Sequence, residues 1–212
     1  MKHFCRILFP VFVLLLLAIS LAGCGNKLSQ REIEQANLAF SSDADDGTAS
    51  EISCFFTCYY SDPREIDLWK FLQYCPNHVR LTYGDEQEFF DWLEASDSYL
   101  EGVSWQSPEE YFVPVWRYNR ESVSALLTKY AGITADDLNS WGEALYMEKY
   151  DSFYNCTSDY GPGRFECVGG EKDGEIIHFW SETDKEGMRD TLTVEKVEGT
   201  YLIRSFLRES TK

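Results

Sequence analysis

Residues 173–207, DGEIIHFWSETDKEGMRDTLTVEKVEGTYLIRSFL, decide the fold. Asp173-Gly174 is a hairpin-turn signal, and Glu198-Gly199 is a weaker one. Residues 175–180, 189–197 and 201–207 are rich in β-branched and aromatic side chains, which suit strands. Leu192 and Val194 alternate with Thr191, Thr193 and Glu195, as in a strand with one wet face. Strands joined by tight turns predict an antiparallel meander. Residues 164–168 predict a further full strand ahead of it, and residues 145–150 and 153–156 predict strand pieces.

Upstream the signals are helical. Ser29 is a candidate cap for a helix over residues 30–40, with Ile33, Ala36, Leu38 and Phe40 on its apolar side. Ile52, Phe55, Phe56 and Tyr59 keep helical spacing, although the same segment is rich in strand formers. Asp62-Pro63 starts a turn, and Asp67 caps a short helix holding Leu68, Phe71 and Leu72 that ends at Cys75-Pro76. Residues 85–95 predict a helix with Phe89, Phe90 and Leu93 together. Residues 112–116 predict an edge strand, because Pro114 has no N–H for a ladder. Asn119 caps a helix carrying Val123, Leu126, Leu127 and Tyr130, and Gly132 stops it. Thr134 with Asp137 makes a capping box. Helices first and hairpin-linked strands last predict an α+β fold, a helical N-terminal half packed on a C-terminal antiparallel β-meander. The expectation is one domain over residues 30–212, with a flexible acidic loop at residues 41–50, SSDADDGTAS.

Composition narrows the class. The chain has 212 residues, 44% hydrophobic and 26% charged, with 14 Phe, 13 Tyr and 6 Trp, far too many rings for a disordered chain. With 14 Gly and 6 Pro it is not collagen-like, and it shows no internal repeat. Its 19 basic and 36 acidic residues give a net charge of −17, which repels phosphate backbones and anionic lipid surfaces, so nucleic acid is not an expected partner.

The N-terminus reads as a secretion leader. Lys2, His3 and Arg6 precede an apolar run over residues 7–19, and small residues follow. Leu21-Ala22-Gly23-Cys24 resembles the lipobox of bacterial lipoproteins. That resemblance implies a signal peptide over residues 1–23, cut before Cys24, and a diacylglyceryl group on the Cys24 thiol carrying palmitate-type chains. Two acyl chains give stable anchoring where one does not. Residues 24–29 would be a short tether, its five residues after Cys24 reaching about 17 Å at most. Losing Lys2 and Arg6 with the leader takes the net charge from −17 to −19. The leader and the α+β pattern, with Phe55-Phe56-Thr57-Cys58-Tyr59-Tyr60 and Tyr201-Leu202-Ile203-Arg204-Ser205-Phe206, resemble uncharacterised lipoproteins of Gram-positive anaerobes. The resemblance implies the outer face of the cytoplasmic membrane, or the outer membrane in a diderm. It implies no activity.

Candidate chemistry is sparse. Of seven cysteines, Cys5 leaves with the leader and Cys24 is acylated; Cys54, Cys58, Cys75, Cys156 and Cys167 remain, an odd number that cannot all pair internally. Cys156 and Cys167 flank a Gly161-Pro162-Gly163 turn, which suits a hairpin disulfide; buried free thiols are the other reading. Cys54, Cys58, Cys75 and His78 have the donor types of a zinc site, set in a hydrophobic segment that the core competes for. Asp43, Asp45 and Asp46 resemble part of a calcium loop, but Gly47 stands where a ligand is needed and Cys54 where the final Glu belongs. His78 and His178 are the candidate bases left once His3 is removed, and no nucleophile elbow, zincin pair or phosphate loop occurs. Glu109-Glu110 and Asp136-Asp137 sit at helix starts, where negative charge favours the helix dipole. Trp105, Trp116, Trp141 and the tyrosines of residues 146–160 could line a sugar or peptide cleft, or serve as core. The reading is a lipid-anchored, non-catalytic surface protein without a cofactor that binds an envelope glycan, peptide or protein. The alternative is a surface hydrolase acting on envelope glycans or peptides.

Overall fold

Two four-stranded antiparallel sheets organise the computed structural model, which describes residues 26–43, 49–96, 104–156 and 163–212. Among these residues the helices are α1 (Gln30–Ala39), α2 (Leu68–Leu72), α3 (Glu86–Ala95) and α4 (Arg120–Ala131). The strands are β1 (Val79–Arg80), β2 (Val115–Asn119), β3 (Leu145–Met147), β4 (Ser152–Cys156), β5 (Gly169–Asp173), β6 (Ile176–Trp180), β7 (Met188–Val197) and β8 (Thr200–Ser210). The first sheet has the order β1-β2-β4-β3 and the second is the meander β5-β6-β7-β8. Cys24, the leader and residues 44–48 of the acidic loop lie outside the described residues; at the loop's base Asp43 bridges Ala49. No helix among the described residues is long and apolar enough to cross a membrane.

A helical N-terminal half packed on a meander is therefore not what forms. The helices are few and mostly short, and β1 pairs with β2, which in turn pairs with β4 in a second sheet apart from the meander. Glu51–Phe56, where helix and strand signals compete, is a 3₁₀ turn with Phe55 and Phe56 buried. The strand containing Pro114 also sits elsewhere. β2 begins one residue after the proline and is an interior strand, paired with β1 on one side and β4 on the other. Its ladder needs an N–H that Pro114 lacks, so the ladder starts beyond it.

The first sheet separates two cores. On β4, Phe153 faces the main core and Tyr154 a smaller one; on β2, Tyr118 faces the main core and Val115 the smaller. The smaller core is closed by Phe89, Trp92 and Leu93 of α3, while Phe90 is left outside. The meander buries one face only. Ile177, Phe179, Leu192, Val194, Ile203 and Phe206 point into the main core, and a bulge at Thr193/Val194 keeps Ile203 and Phe206 on that face.

Local capping follows the side-chain chemistry. The Asn119 side chain accepts from Glu121 N at 2.9 Å and Ser122 N at 3.3 Å, starting α4. Gly132 ends it at φ 73°, a left-handed position that glycine takes without strain. Glu32 returns to Ser29 N at 2.9 Å in a capping box on α1. Thr134 and Asp137 make the second box, on a 3₁₀ turn.

Residues 164–168 do not make the expected strand, and α1 is the reason. Asn37 Nδ2 donates to the Cys167 carbonyl at 2.9 Å and its Oδ1 accepts Cys167 N at 2.7 Å. One side chain thus occupies the groups a neighbouring strand would have used, and pairing begins only at Gly169. Removing both bonds strands a buried N–H and C=O. Asn37→Ala is therefore expected to cost about 1–3 kcal/mol in a denaturant melt, and an unchanged midpoint would refute the role given to Asn37.

Candidate functional site

Two cavities adjoin one another at α2. Asp67 accepts Lys70 N at 3.2 Å and caps the helix, and Leu68, Phe71 and Leu72 enter the core. That registration leaves Lys70 exposed and Trp69 and Gln73 half-buried. The Trp69 carbonyl accepts from Asn155 Nδ2 at 3.0 Å, which ties α2 to β4. On one side of Trp69 and Lys70 lies an open cleft of about 560 Å³, whose other walls include Arg64, Glu65, Asn139 and Ser140. On the other side lies a cavity of about 220 Å³, walled by Phe56, Thr57, Gln73, Tyr74 and Gly163.

The cleft is rigidly framed. Arg64 N donates to Asp62 at 2.9 Å within the Pro63–Glu65 turn, and Asn139 N donates to the Arg64 carbonyl at 2.8 Å, joining its two walls. The Arg64 guanidinium meets Asp62 at 2.6 Å and holds that carboxyl down to about 2. Glu65 accepts from Ser61 Oγ at 2.7 Å and from Ser61 N at 3.0 Å, which lowers it. Lys70 pairs with Asp67 at 3.1 Å. The cleft lining thus offers Arg64 and Lys70 against Glu65, Asp67 and Glu143. Two cations against three carboxylates leave one net negative charge beside the Trp ring, which disfavours an anionic ligand and suits a neutral, polar one.

The indoles picked out in the sequence lie elsewhere. Trp105 packs edge-on to Tyr111 at 5.3 Å, Trp116 edge-on to His78 at 4.3 Å, and Trp141 edge-on to Phe153 at 5.1 Å. Trp141 also donates from Nε1 to the Ala135 carbonyl at 2.9 Å. None of the three lines a described cavity. Trp69 was missed, and its signal was present: in Leu68-Trp69-Lys70-Phe71-Leu72 the helical period buries Leu68, Phe71 and Leu72 and leaves Trp69 only half-buried.

The thiols are not gathered into a centre. Cys54, Cys58, Cys75, Cys156 and Cys167 are free, and among the described residues no group of three His, Cys, Asp or Glu side chains is placed to hold a metal. Cys54 Sγ donates to the Glu51 carbonyl at 2.9 Å, and His78 Nδ1 lies 3.0 Å from the Cys75 carbonyl. Cys156 belongs to the smaller core and Cys167 to the main one. Burial pushes Cys75 up to about 12 and Cys156 up to about 11, and it raises Cys54, Cys58 and Cys167 as well. Each thiol is moved away from the thiolate that nucleophilic chemistry uses. His178 Nδ1 lies 3.0 Å from Thr193 Oγ1 across two strands of the meander.

The carboxylates serve as caps and pairs. Glu109 accepts from Tyr83 N at 2.6 Å, Asp136 pairs with Arg120, and Asp137 caps Thr134. Lys172 with Ser29 holds Glu32 at about 2, and Lys149, Tyr150 and Gln87 hold Asp91 at about 2. Asp62 behaves the same way. Carboxyls lowered on folding stabilise the protein fully above their unfolded values of about 4. That contribution is lost as pH falls through their folded values. Stability is expected to be flat from neutral down to about pH 5 and to fall steadily towards pH 2. A thermal midpoint constant over that acid range would contradict these assignments.

One buried acid carries no sequence signal. Glu88 of α3 is 6% exposed, accepts from Arg117 at 2.8 Å and from the Tyr154 hydroxyl, and so bolts α3 onto β2 and β4. Burial and the neighbouring Glu88 raise the Tyr154 hydroxyl. No protein-family model, curated protein or solved structure matches the chain.

Proposed function

We propose that this protein is a lipid-anchored extracytoplasmic binding module that holds a polar envelope ligand in the cleft beside Trp69. The observation that carries the binding role is Trp69, half-buried against the main core and lining both of two adjoining cavities. Of the cleft carboxylates, Glu65 is held by Ser61, and Asp67 caps α2 and pairs with Lys70, which favours recognition over bond cleavage.

The anchor rests on Leu21-Ala22-Gly23-Cys24. In the tether, Leu28 N donates to Gly170 O at 3.0 Å and Lys172 N donates to Asn26 O at 2.7 Å, so residues 26–28 run along β5. With that segment docked, Cys24 and Gly25 alone would separate the lipid from the domain, and the β5 edge would face the membrane.

Cys24→Ser is expected to abolish incorporation of labelled palmitate and to release the protein from membranes; membrane retention without label would overturn the anchor. For binding, residues 26–212, which contain every element described, are melted with neutral oligosaccharides and peptides. A ligand at a hundredfold excess over Kd adds about 2.7 kcal/mol. Trp69→Ala is expected to remove that gain, and a gain that persists in the variant would place the site elsewhere.

A further inference from the structure

We infer that the outer edge of β5 is a strand-addition site for an extended peptide segment in which a basic residue precedes an apolar one, and that the chain's own residues 26–28 occupy it as an intramolecular competitor. The pairing is antiparallel, with Lys27 opposite Glu171. Leu28 N donates to Gly170 O at 3.0 Å, and Lys172 N donates to Asn26 O at 2.7 Å. In an antiparallel ladder the N–H and the carbonyl of one residue point to the same side. Gly170 and Lys172 therefore turn four main-chain groups to this edge, and residues 26–28 use two of them, the Gly170 carbonyl and the Lys172 N–H. A longer segment reaches the Gly170 N–H and the Lys172 carbonyl as well, which gives it an advantage over the resident one.

The edge itself sets the residue pattern. Gly170 is buried, and a Cβ there would stand 2.4 Å from Leu28 Cδ1, so the missing side chain leaves the seat that Leu28 fills. In that seat Leu28 packs against the main core and walls a crevice of about 310 Å³ that Ile177 and Phe179 also line. An apolar side chain is selected at this position. One residue earlier the strand turns to the other face of the sheet, where Glu171 is exposed. Asp173 and Glu175 are exposed along the same hairpin, and Lys172, the cation among them, pairs with Glu32. A basic residue opposite Glu171, as Lys27 is, complements that charge. In a chain of net charge −17 it also speeds encounter.

The resident segment is short and lightly held. Asn26 and Lys27 are exposed, and Leu28 is half-buried. β5, GGEKD, has almost no strand formers, so its order depends on a partner at this edge as well as on β6. Release of residues 26–28 can stop at Ser29, because α1 is fixed separately by the bonds from Asn37 to Cys167. An edge that needs a partner and holds a short one is open to exchange.

The test titrates residues 26–212, labelled with nitrogen-15, with the peptide acetyl-Thr-Thr-Lys-Leu-Thr-amide. The amide signals of Gly170, Glu171 and Lys172 are expected to shift saturably. Replacing Lys by Glu, or Leu by Asn, in the peptide is expected to weaken binding about threefold or more. Leu28→Pro removes both the N–H that reaches Gly170 and the side chain that fills its seat. With the competitor released, the peptide is expected to bind about tenfold more tightly. Lys27→Glu leaves the core contact of Leu28 in place and is expected to act in the same direction with a smaller gain; it carries the test if the proline variant unfolds. No saturable shift on β5 in the parent or the variants, equal binding of the three peptides, or variants that bind no more tightly than the parent would each overturn the inference.

Discussion

Phe55→Ala is expected to destabilise the protein by about 3–5 kcal/mol, the range for deleting a ring from a sealed core. Phe55 is wholly buried and meets Phe71 edge-on at 5.0 Å and Tyr130 at 5.5 Å. Its ring therefore joins the Glu51–Phe56 turn to α2 and α4. The Tyr60 hydroxyl donates to the Phe55 carbonyl at 3.2 Å, which holds the turn and limits collapse into the cavity. A urea melt measures the effect. A loss below about 1 kcal/mol would mean that α2 does not rest on this ring.

Glu88→Ala should cost about 3 kcal/mol, because it strands Arg117 and the Tyr154 hydroxyl at the edge of the smaller core. Arg117 keeps some solvent contact, which holds the figure at the lower end of the range for a broken buried pair. Glu88→Gln preserves an acceptor and should cost less. The double change Glu88→Leu with Arg117→Met should recover most of the loss, since a buried pair replaced as a whole is often nearly neutral. A double variant as weak as Glu88→Ala would show that the pair contributes net stability.

These expectations mark what could be read from the sequence. β6, β7 and β8 were legible because one face is buried, so Leu192 and Val194 alternate with wet neighbours. The caps at Asn119, Asp67 and Ser29 were legible because each acts within three residues. Of the first sheet, β3 and β4 were legible as strand pieces within residues 145–150 and 153–156, but their partners β1 and β2 and the sheet they form were not, because both of its faces are covered. Phe153 and Tyr154 serve opposite cores, which erases the alternation. β5, with the sequence GGEKD, has almost no strand formers and is held by β6 and by residues 26–28. The strand-like residues 164–168 fail because of Asn37, far away in sequence. At the candidate site the indoles named from the sequence belong to packing, and Trp69 was hidden inside an apolar run whose burial depends on helix phase.

The central claim is tested most directly by following the indole N–H signals of residues 26–212, labelled with nitrogen-15 at tryptophan, during titration with the oligosaccharide panel. Trp69, which lines both cavities, is expected to shift saturably, while Trp116 and Trp141, which line neither, stay fixed. Saturable shifts at Trp105, Trp116 or Trp141 with Trp69 unmoved would contradict the account and return the binding site to the residues the sequence first suggested.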